Sequence, residues 1–151
     1  MKWGNKDMDQ QSLEDIEIEV AILLRNLALI TTYKKNGNLD RSAYFLLYRI
    51  IAHGPTGVKA LADEFHLDIS TISRQVRVLE KKGYVYRIPD TLDRRAYFLQ
   101  ITDLGRKEFN EYKNLRLTKM AELLKNWSDE ECKIFGMLLK KYNHSLIDIL
   151  E

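Results

Sequence analysis

The stretch "STISRQVRVLEKKGYVYRIPDTLDRRAYFLQITDLG", Ser70 to Gly105, decides the fold of this chain. It opens with a helical pattern in which Ile72, Val76 and Leu79 fall on one side at about 100° per residue. That apolar side predicts docking against the body of the domain, whereas the opposite side is polar and cationic. Gly83 is expected to end the helix, because glycine readily takes the backbone conformation that follows a last helical turn.

Two short segments rich in aromatic and β-branched residues follow, "YVYRI" and "AYFLQI", and they predict a two-stranded hairpin. Pro89 stands at the end of the first strand, where its missing N–H group costs little. The connecting segment "PDTLDRR" carries Asp93, Arg94 and Arg95 in a row. These residues suit a solvated turn, and they equally suit a finger that contacts a polyanion.

Another short helix is predicted before the first one. The segment "VKALADEFHLD" is apolar at positions i, i+3, i+4 and i+7 counted from Val58. The next helix starts about three residues later, with Asp68 as its predicted N-cap. Two short helices joined so closely predict a helix-turn-helix.

The N-terminal part predicts a long helix that begins at Ser12, after a polar lead over residues 1–11. Asp15 lies three residues on and suggests a weak capping box. The later "VAILLRNLALI" is apolar nearly all round, so this helix must be buried on more than one side. In so short a chain, a subunit interface is the expected second side. "NGN" at residues 36–38 ends the pattern.

Three further helices complete the predicted order. One runs from Arg41 to about Ala52, a long one follows the hairpin with Thr102 as its cap, and the last starts at about Asp129 behind the capping box "SDEE". The order is α-α-α-α-β-β-α-α. It predicts a mainly α fold with a small antiparallel β-hairpin, a winged helix-turn-helix between helical arms.

Composition predicts a single globular domain, since 45% of the 151 residues are apolar and 30% are charged. The net charge of +2 is too small to indicate nucleic acid by itself. The charge is unevenly placed, however. Residues 70–107 hold nine Lys or Arg and four Asp or Glu, whereas the remainder holds fifteen basic and eighteen acidic residues. A basic middle between acidic ends favours an anionic partner for the middle, although a solvated face can carry the same charges.

Several classes of protein are disfavoured. The single cysteine, Cys132, excludes an internal disulfide and fits a reducing compartment. No segment has the form of a signal peptide, and none approaches the ~18 apolar residues of a membrane span, so we expect a cytoplasmic protein with no membrane partner. His53, His66 and His144 are scattered, and no phosphate loop or nucleophile elbow exists. We therefore expect no enzyme, no metal and no cofactor.

The polar side of the central helix suits DNA, because a major groove about 12 Å wide accepts one α-helix. Hydroxyls near the helix start and Arg74 suit base edges, and the later cations suit phosphates. The hairpin, here called the wing, can enter the adjacent minor groove, whose negative potential attracts Arg94 and Arg95. An ordinary charged helix face remains the alternative. The predicted contacts are Ser70, Thr71, Ser73, Arg74, Arg77 and Lys81 on the helix, and Arg87, Asp93, Arg94 and Arg95 on the wing.

Asp93 is an unexpected residue in a finger that contacts phosphate. We predict an internal role, in which its carboxylate pairs with a nearby arginine and holds the tip in one shape. Arg87 and Arg95 are both candidate partners, and the sequence does not choose between them.

The stretch from Ser70 to Gly105 resembles the MarR family, the multiple-antibiotic-resistance type of winged-helix regulators. The family pattern is a recognition helix ending in Leu-Glu-x-x-Gly, an arginine on the first strand, a wing with Asp-x-Arg, then Leu-Thr and a glycine. Ile101 in place of the leucine is the one change within that pattern, and His66 stands where many relatives have glycine. Histidine tolerates positive φ better than most residues. The matching positions are Leu79, Glu80, Gly83, Arg87, Asp93, Arg95, Ile101, Thr102 and Gly105.

The resemblance implies one MarR-like domain over residues 1–151, with a DNA-binding lobe at 39–101 and a helical dimerisation region at 12–36 and 102–151. It implies an obligate homodimer that binds a pseudo-palindromic operator in double-stranded DNA. We expect this homodimer to act as a repressor rather than as an activator. Relatives often bind small aromatic or phenolic anions in a cleft between the helical arms and the DNA-reading lobe. The residues that could line such a cleft are Tyr44, Phe45, Tyr48 and His53, although core or dimer contacts are the favoured interpretation of them.

Two other hypotheses remain. A winged helix can serve as a protein–protein interaction module without binding DNA. Cys132 could be a redox sensor in the first turn of the last helix, where the helix dipole favours a thiolate, but three acidic neighbours at 129–131 oppose it. A partly buried small residue is the favoured interpretation of Cys132.

Overall fold

The computed structural model describes residues 8–33 and 39–151, and it confirms the predicted fold class and element order. The elements are α1 (Gln10–Tyr33), α2 (Arg41–His53), α3 (Val58–Glu64), α4 (Ile69–Lys81), β1 (Val85–Pro89), β2 (Tyr97–Ile101), α5 (Asp103–Leu123) and α6 (Asp129–Leu150). The chain forms two compact units, residues 1–37 and 38–151, which are described separately.

Helix α1 begins two residues earlier than predicted. Asp9 caps it, because its Oδ2 accepts hydrogen bonds from the backbone N–H of Ser12 at 3.1 Å and from the Ser12 hydroxyl at 2.6 Å. The predicted capping box of Ser12 and Asp15 is therefore wrong, since Ser12 lies inside a helix that already begins at Gln10. The apolar side chains of α1 from Ile16 to Ile30 are 40–63% exposed, apart from half-buried Val20. The helix is thus apolar and uncovered, and the break predicted at 36–38 lies outside the described residues.

The core of the second unit lies where α2, α3 and α4 meet the hairpin. Leu47, Leu61 and Ile72 are each 0% exposed, and Leu99 of β2 is 1% exposed. Val76 and Leu79 are buried with Ile72, so the predicted docking side of α4 is confirmed. This packing fixes the other side of α4 outward.

The turn between α3 and α4 depends on His66, which has a φ of 52°. The N–H of Leu67 donates to the carbonyl of Ala62 at 3.0 Å and closes the turn. A positive φ at this position agrees with the expectation for a histidine that stands where many relatives have glycine. The backbone of His66 is more strained there than that of a glycine would be. Asp68 follows as the N-cap of α4, but it caps through its position alone, because its side chain makes no capping hydrogen bond.

Strands β1 and β2 pair antiparallel, from Val85 opposite Ile101 to Pro89 opposite Tyr97. Thr56 adds an isolated bridge, in which its N–H donates to the Leu99 carbonyl at 3.3 Å and its carbonyl accepts from Leu99 at 2.8 Å. This bridge is not predictable from the sequence, since a single paired residue between Pro55 and Gly57 carries no strand pattern.

The start of α5 is hydrogen-bonded to the turn that directly follows α4. The Thr102 hydroxyl donates to the Gly83 carbonyl at 2.5 Å and accepts from the Gly105 N–H at 2.9 Å, which confirms the predicted cap. The Thr102 N–H also donates to the Tyr84 carbonyl at 3.0 Å. A Cβ on Gly105 would lie 2.1 Å from that same carbonyl oxygen, so only glycine fits there.

Helix α6 begins with the predicted capping box, in which Glu131 N–H donates to Ser128 Oγ at 3.1 Å and Ser128 N–H donates to the Glu131 carboxylate at 2.8 Å. No residue of α6 is buried, although its sequence has an apolar side. The uncovered apolar residues of α6 include Phe135, Leu138, Leu139, Tyr142, Leu146 and Ile149.

No helix within the described residues is both long and apolar enough to cross a membrane.

Candidate nucleic-acid interface

The outer side of α4 presents a narrow polar stripe. Ser70, Arg74, Arg77 and Lys81 are all exposed and fall within about 60° of one another around the helix axis. Ser73 borders this stripe and is half-buried. Together these residues make a surface one side chain wide and three turns long.

Thr71 is less well placed than the other predicted contacts. It is half-buried and lies about 100° round the helix from Ser70. Its role as a DNA contact stays a prediction, and it is weaker than that of the stripe residues.

The tip of the wing is exposed, and backbone hydrogen bonds close it where it leaves the two strands. Asp90 N–H donates to the Ala96 carbonyl at 3.1 Å, and Ala96 N–H donates to the Asp93 carbonyl at 3.1 Å. Residues 91–95 between them are exposed, and Leu92 is 96% exposed. The tip therefore projects beyond the packed part of the domain.

Two aspartates shape this tip through the backbone. Asp93 Oδ1 accepts from the Arg95 N–H at 2.9 Å, and Asp90 Oδ1 accepts from the Leu92 N–H at 2.8 Å. The predicted pairing of Asp93 with the guanidinium of Arg87 or Arg95 is wrong, because no such ion pair forms within residues 8–33 and 39–151. A carboxylate reaches an N–H two residues on without ordering a long side chain, so the Asx turn is the easier bond. Asp90 was not among the predicted site residues, although Pro-Asp is a known turn signal.

Arg87 pairs with Glu80 and not with Asp93. Its guanidinium forms two hydrogen bonds with Glu80 near the end of α4, from Nε to Oε1 and from Nη2 to Oε2, the second at 3.1 Å. The same guanidinium lies 4.1 Å from the centre of the Tyr97 ring. The hydrogen bond to Glu80 raises the pKa of Arg87 above its ordinary value. The predicted DNA contact of Arg87 stays untested, and its guanidinium is already engaged.

The remaining cations of the helix and wing are unpaired in the described part of the chain. Arg74, Arg77, Lys81, Arg94 and Arg95 form no ion pair there. Unpaired cations on a protruding surface attract phosphate without first losing a carboxylate partner. The geometry therefore combines an exposed polar stripe on α4 with a cationic tip on the wing, and both could bind phosphate or base edges.

The four predicted cleft residues on α2 do not share one environment. The Tyr44 ring stacks on Phe109 of α5, with centroids 4.8 Å apart and planes at 7°, so Tyr44 belongs to the packed interior side. Phe45, Tyr48 and His53 are exposed. A ligand cleft along α2 stays a prediction.

A depression of about 570 Å³ lies elsewhere, at the start of α6. Trp127 and Phe135 line it edge to face, with ring centroids 5.3 Å apart. Cys132 is half-buried in the same first turn. No group of His, Cys, Asp or Glu suited to a metal ion occurs among the residues described.

A family model and individual relatives match this chain. A family model described as the MarR family matches residues 39–97. The "uncharacterized HTH-type transcriptional regulator YxaD" of Bacillus subtilis (strain 168) is 40% identical, over 93% of this chain and 99% of its own length.

Two solved structures share the fold. A MarR family protein from Bacillus stearothermophilus superposes with a TM-score of 0.77 at 21% identity, over 93% of this chain and 99% of that one. Streptococcus pneumoniae FabT, solved in complex with DNA, superposes with a TM-score of 0.71 at 19% identity, over 91% of this chain and 99% of that one. At these identities the likeness is one of fold, and it extends over nearly the whole chain.

Proposed function

Because this chain belongs to the MarR family of transcriptional regulators, we propose that it is a homodimeric repressor that binds a pseudo-palindromic operator in double-stranded DNA. The observation that carries this proposal is the unpaired cationic stripe of α4 beside the cationic wing tip. We place this regulator in the cytoplasm.

Helix α4 is proposed to enter the major groove. Ser70, Ser73 and Arg74 lie in its first two turns and would meet base edges, while Arg77 and Lys81 would meet phosphates. Arg74 is the strongest candidate for specificity, since a guanidinium can bind guanine with two hydrogen bonds. Loss of such a contact costs about 1–3 kcal/mol of discrimination between bases.

The wing is proposed to enter the flanking minor groove. Arg94 and Arg95 are exposed at its tip and unpaired within the described residues. A narrow minor groove concentrates negative potential and attracts arginine. The solved complex of FabT with DNA supports DNA binding in general, because that protein shares the fold.

The homodimer is proposed to form through the helical arms, residues 12–36 and 102–151, leaving residues 39–101 as the DNA-binding lobe. Apolar side chains stay uncovered along α1 and α6, and covering such surface is the main favourable term in association. The 570 Å³ depression beside Trp127 lies on the same uncovered surface of α6. A dimer would place two copies of α4 for half-sites about one helical turn apart, or a multiple of that.

A small aromatic or phenolic effector is the remaining part of the proposal. The exposed rings of Phe45 and Tyr48 would offer apolar contacts to such an anion, and the exposed His53 on the same helix would offer a polar one. Tyr44 is half-buried and stacks on Phe109, so its proposed part is to support the neighbouring rings.

The decisive experiment is selection of bound sequences from a genomic DNA library, followed by fluorescence titration on the selected operator. We expect specific binding that weakens steeply with salt, because phosphate contacts release counterions. Arg74→Ala should reduce specificity at one base position, and Arg94→Ala should lower the salt slope by about one. Lys140→Ala is the matched control, since Lys140 is an exposed cation of α6, outside α4 and the wing. Selection of no sequence would refute the proposal and favour a protein-binding winged helix.

A further inference from the structure

One cluster joins the recognition helix to the wing through side chains. Glu80 lies in the last turn of α4, Arg87 is the middle residue of β1, and Tyr97 is the first residue of β2. The Arg87 guanidinium is held by two hydrogen bonds to Glu80 and by the face of the Tyr97 ring at 4.1 Å. The cluster therefore touches the helix and both strands at one point.

The wing has little other support beyond that point. Val85 at the base is 4% exposed and Leu99, which lies directly opposite Arg87, is 1% exposed, whereas Pro89 and all of residues 91–95 are exposed. Arg87 stands between the buried base and the exposed tip, where a brace has the greatest effect on the direction of the tip.

We propose that the Glu80–Arg87–Tyr97 cluster is a brace that fixes the wing relative to the recognition helix and so sets the spacing between major-groove and minor-groove contacts. Arg87 is then a positioning residue and not a phosphate ligand. This inference rests on the proposed function, because it concerns how the same surface meets DNA.

The electrostatics of the pair favour this role. A guanidinium that already shares two hydrogen bonds with a carboxylate is fixed in direction, and the pair carries no net charge. A phosphate approaching Arg87 would also approach the Glu80 carboxylate. Arg94 and Arg95 are unpaired in the described residues and attract phosphate without that opposition.

The brace and a phosphate contact predict opposite effects of Glu80→Gln. If Glu80 only opposes phosphate, removal of its charge tightens DNA binding. If Glu80 holds the brace, the same change weakens binding by about fivefold, the effect of losing one partly exposed ion pair. Asp63→Asn is the matched control, because Asp63 is an exposed carboxylate of the same helix-turn-helix and has no ion pair among the described residues.

Arg87→Lys separates charge from geometry. Lysine keeps the positive charge but lacks the planar fork that binds a carboxylate at two points. We expect Arg87→Lys, Glu80→Gln and the double variant to weaken binding equally, because each removes the same link. The salt slope should stay as in the wild type, because no phosphate contact is lost.

Footprinting on the selected operator adds a readout that loss of stability would not move. Hydroxyl-radical protection in the minor groove should fade in these variants, while protection of guanine N7 in the major groove persists. Wild-type affinity in Arg87→Lys, tighter binding in Glu80→Gln, or additive effects in the double variant would each overturn the brace. So would a fall of about one in the salt slope of Arg87→Ala, which identifies a phosphate contact.

A measurement without DNA keeps the brace distinguishable from the proposed function. Amide ¹⁵N relaxation of Leu92 and Arg95 in the free protein should show greater tip motion in Glu80→Gln than in wild type or Asp63→Asn. Unchanged tip motion would overturn the brace even if DNA binding is confirmed. Increased tip motion with no DNA binding would support the brace and refute only the proposed function.

Discussion

Gly105→Ala is expected to destabilise the fold more than any surface substitution on α5. The added Cβ would lie 2.1 Å from the Tyr84 carbonyl oxygen and 2.9 Å from its carbonyl carbon. Both atoms belong to the backbone, so no side chain can rotate away. Ordinary contact needs the start of α5 to move by about 1 Å or more.

That movement would break the anchor formed by Thr102. Its hydrogen bonds to the carbonyls of Gly83 and Tyr84 are 2.5 and 3.0 Å long. Loss of the two costs about 1 kcal/mol each, and overpacking adds about 1–3 kcal/mol. We therefore expect Gly105→Ala to lower the free energy of unfolding by about 3–5 kcal/mol.

Thermal unfolding followed by circular dichroism checks this value, at one fixed protein concentration because dimerisation shifts Tm. A drop of roughly 6–20 °C is expected. Gly136→Ala is the opposite control: its added Cβ meets no atom within 4 Å, so the helix should gain about 0.5–1 kcal/mol. A Gly105→Ala variant as stable as wild type would show that α5 does not approach Tyr84 so closely.

Three further predictions concern the wing, the turn and alkaline pH. Asp93→Ala removes the acceptor of the Arg95 N–H, so operator affinity should fall by about three- to tenfold although a negative charge is lost; tighter binding in a fluorescence titration would mean that Asp93 only repels phosphate. His66→Gly relieves a positive φ and should raise stability by up to about 1 kcal/mol, whereas β-branched His66→Val should lower it, and equal Tm values for both would contradict this. Burial of Tyr84, aided by the charges of Glu108 and Glu111, raises the pKa of its hydroxyl above the ordinary value. The hydroxyl of Tyr84 therefore loses its proton at lower pH in the unfolded chain than in the folded one, and the free energy of unfolding should fall as pH rises above about 10. Denaturant titrations from neutral to alkaline pH should show a smaller fall for Tyr84→Phe, and an equal fall would exclude Tyr84 as the cause.

The elements that could be predicted from sequence depend on neighbours close in the chain. The buried side of α4 follows from a spacing of three and four residues, as Ile72, Val76 and Leu79 show. The caps at Thr102 and Ser128 were likewise predictable, because each side chain reaches an N–H three residues away. Such contacts need no knowledge of the tertiary structure.

The missed features depend on how separate segments meet. Glu80 and Arg87 are seven residues apart, and their pairing requires the bend at Gly83 between a helix and a strand. Thr56 pairs with Leu99 across more than forty residues of chain, without any local strand pattern. The partner of Asp93 was misjudged for another reason, since charge complementarity was preferred over the shorter reach to the Arg95 backbone.

The junction at Thr102 also limits how the chain length can vary. Residue 101 ends β2, residue 103 begins α5, and the single residue between them is bonded to residues 83, 84 and 105. An inserted residue there would turn α5 by about 100°. Gly105 would then move away from the Tyr84 carbonyl, and a residue with a Cβ would take its place. The tip at 91–95, in contrast, is exposed and closed by its own hydrogen bonds, so insertions can lengthen it without disturbing the core. Relatives are therefore expected to differ in the length of the finger and to keep the spacing between the second strand and the long helix.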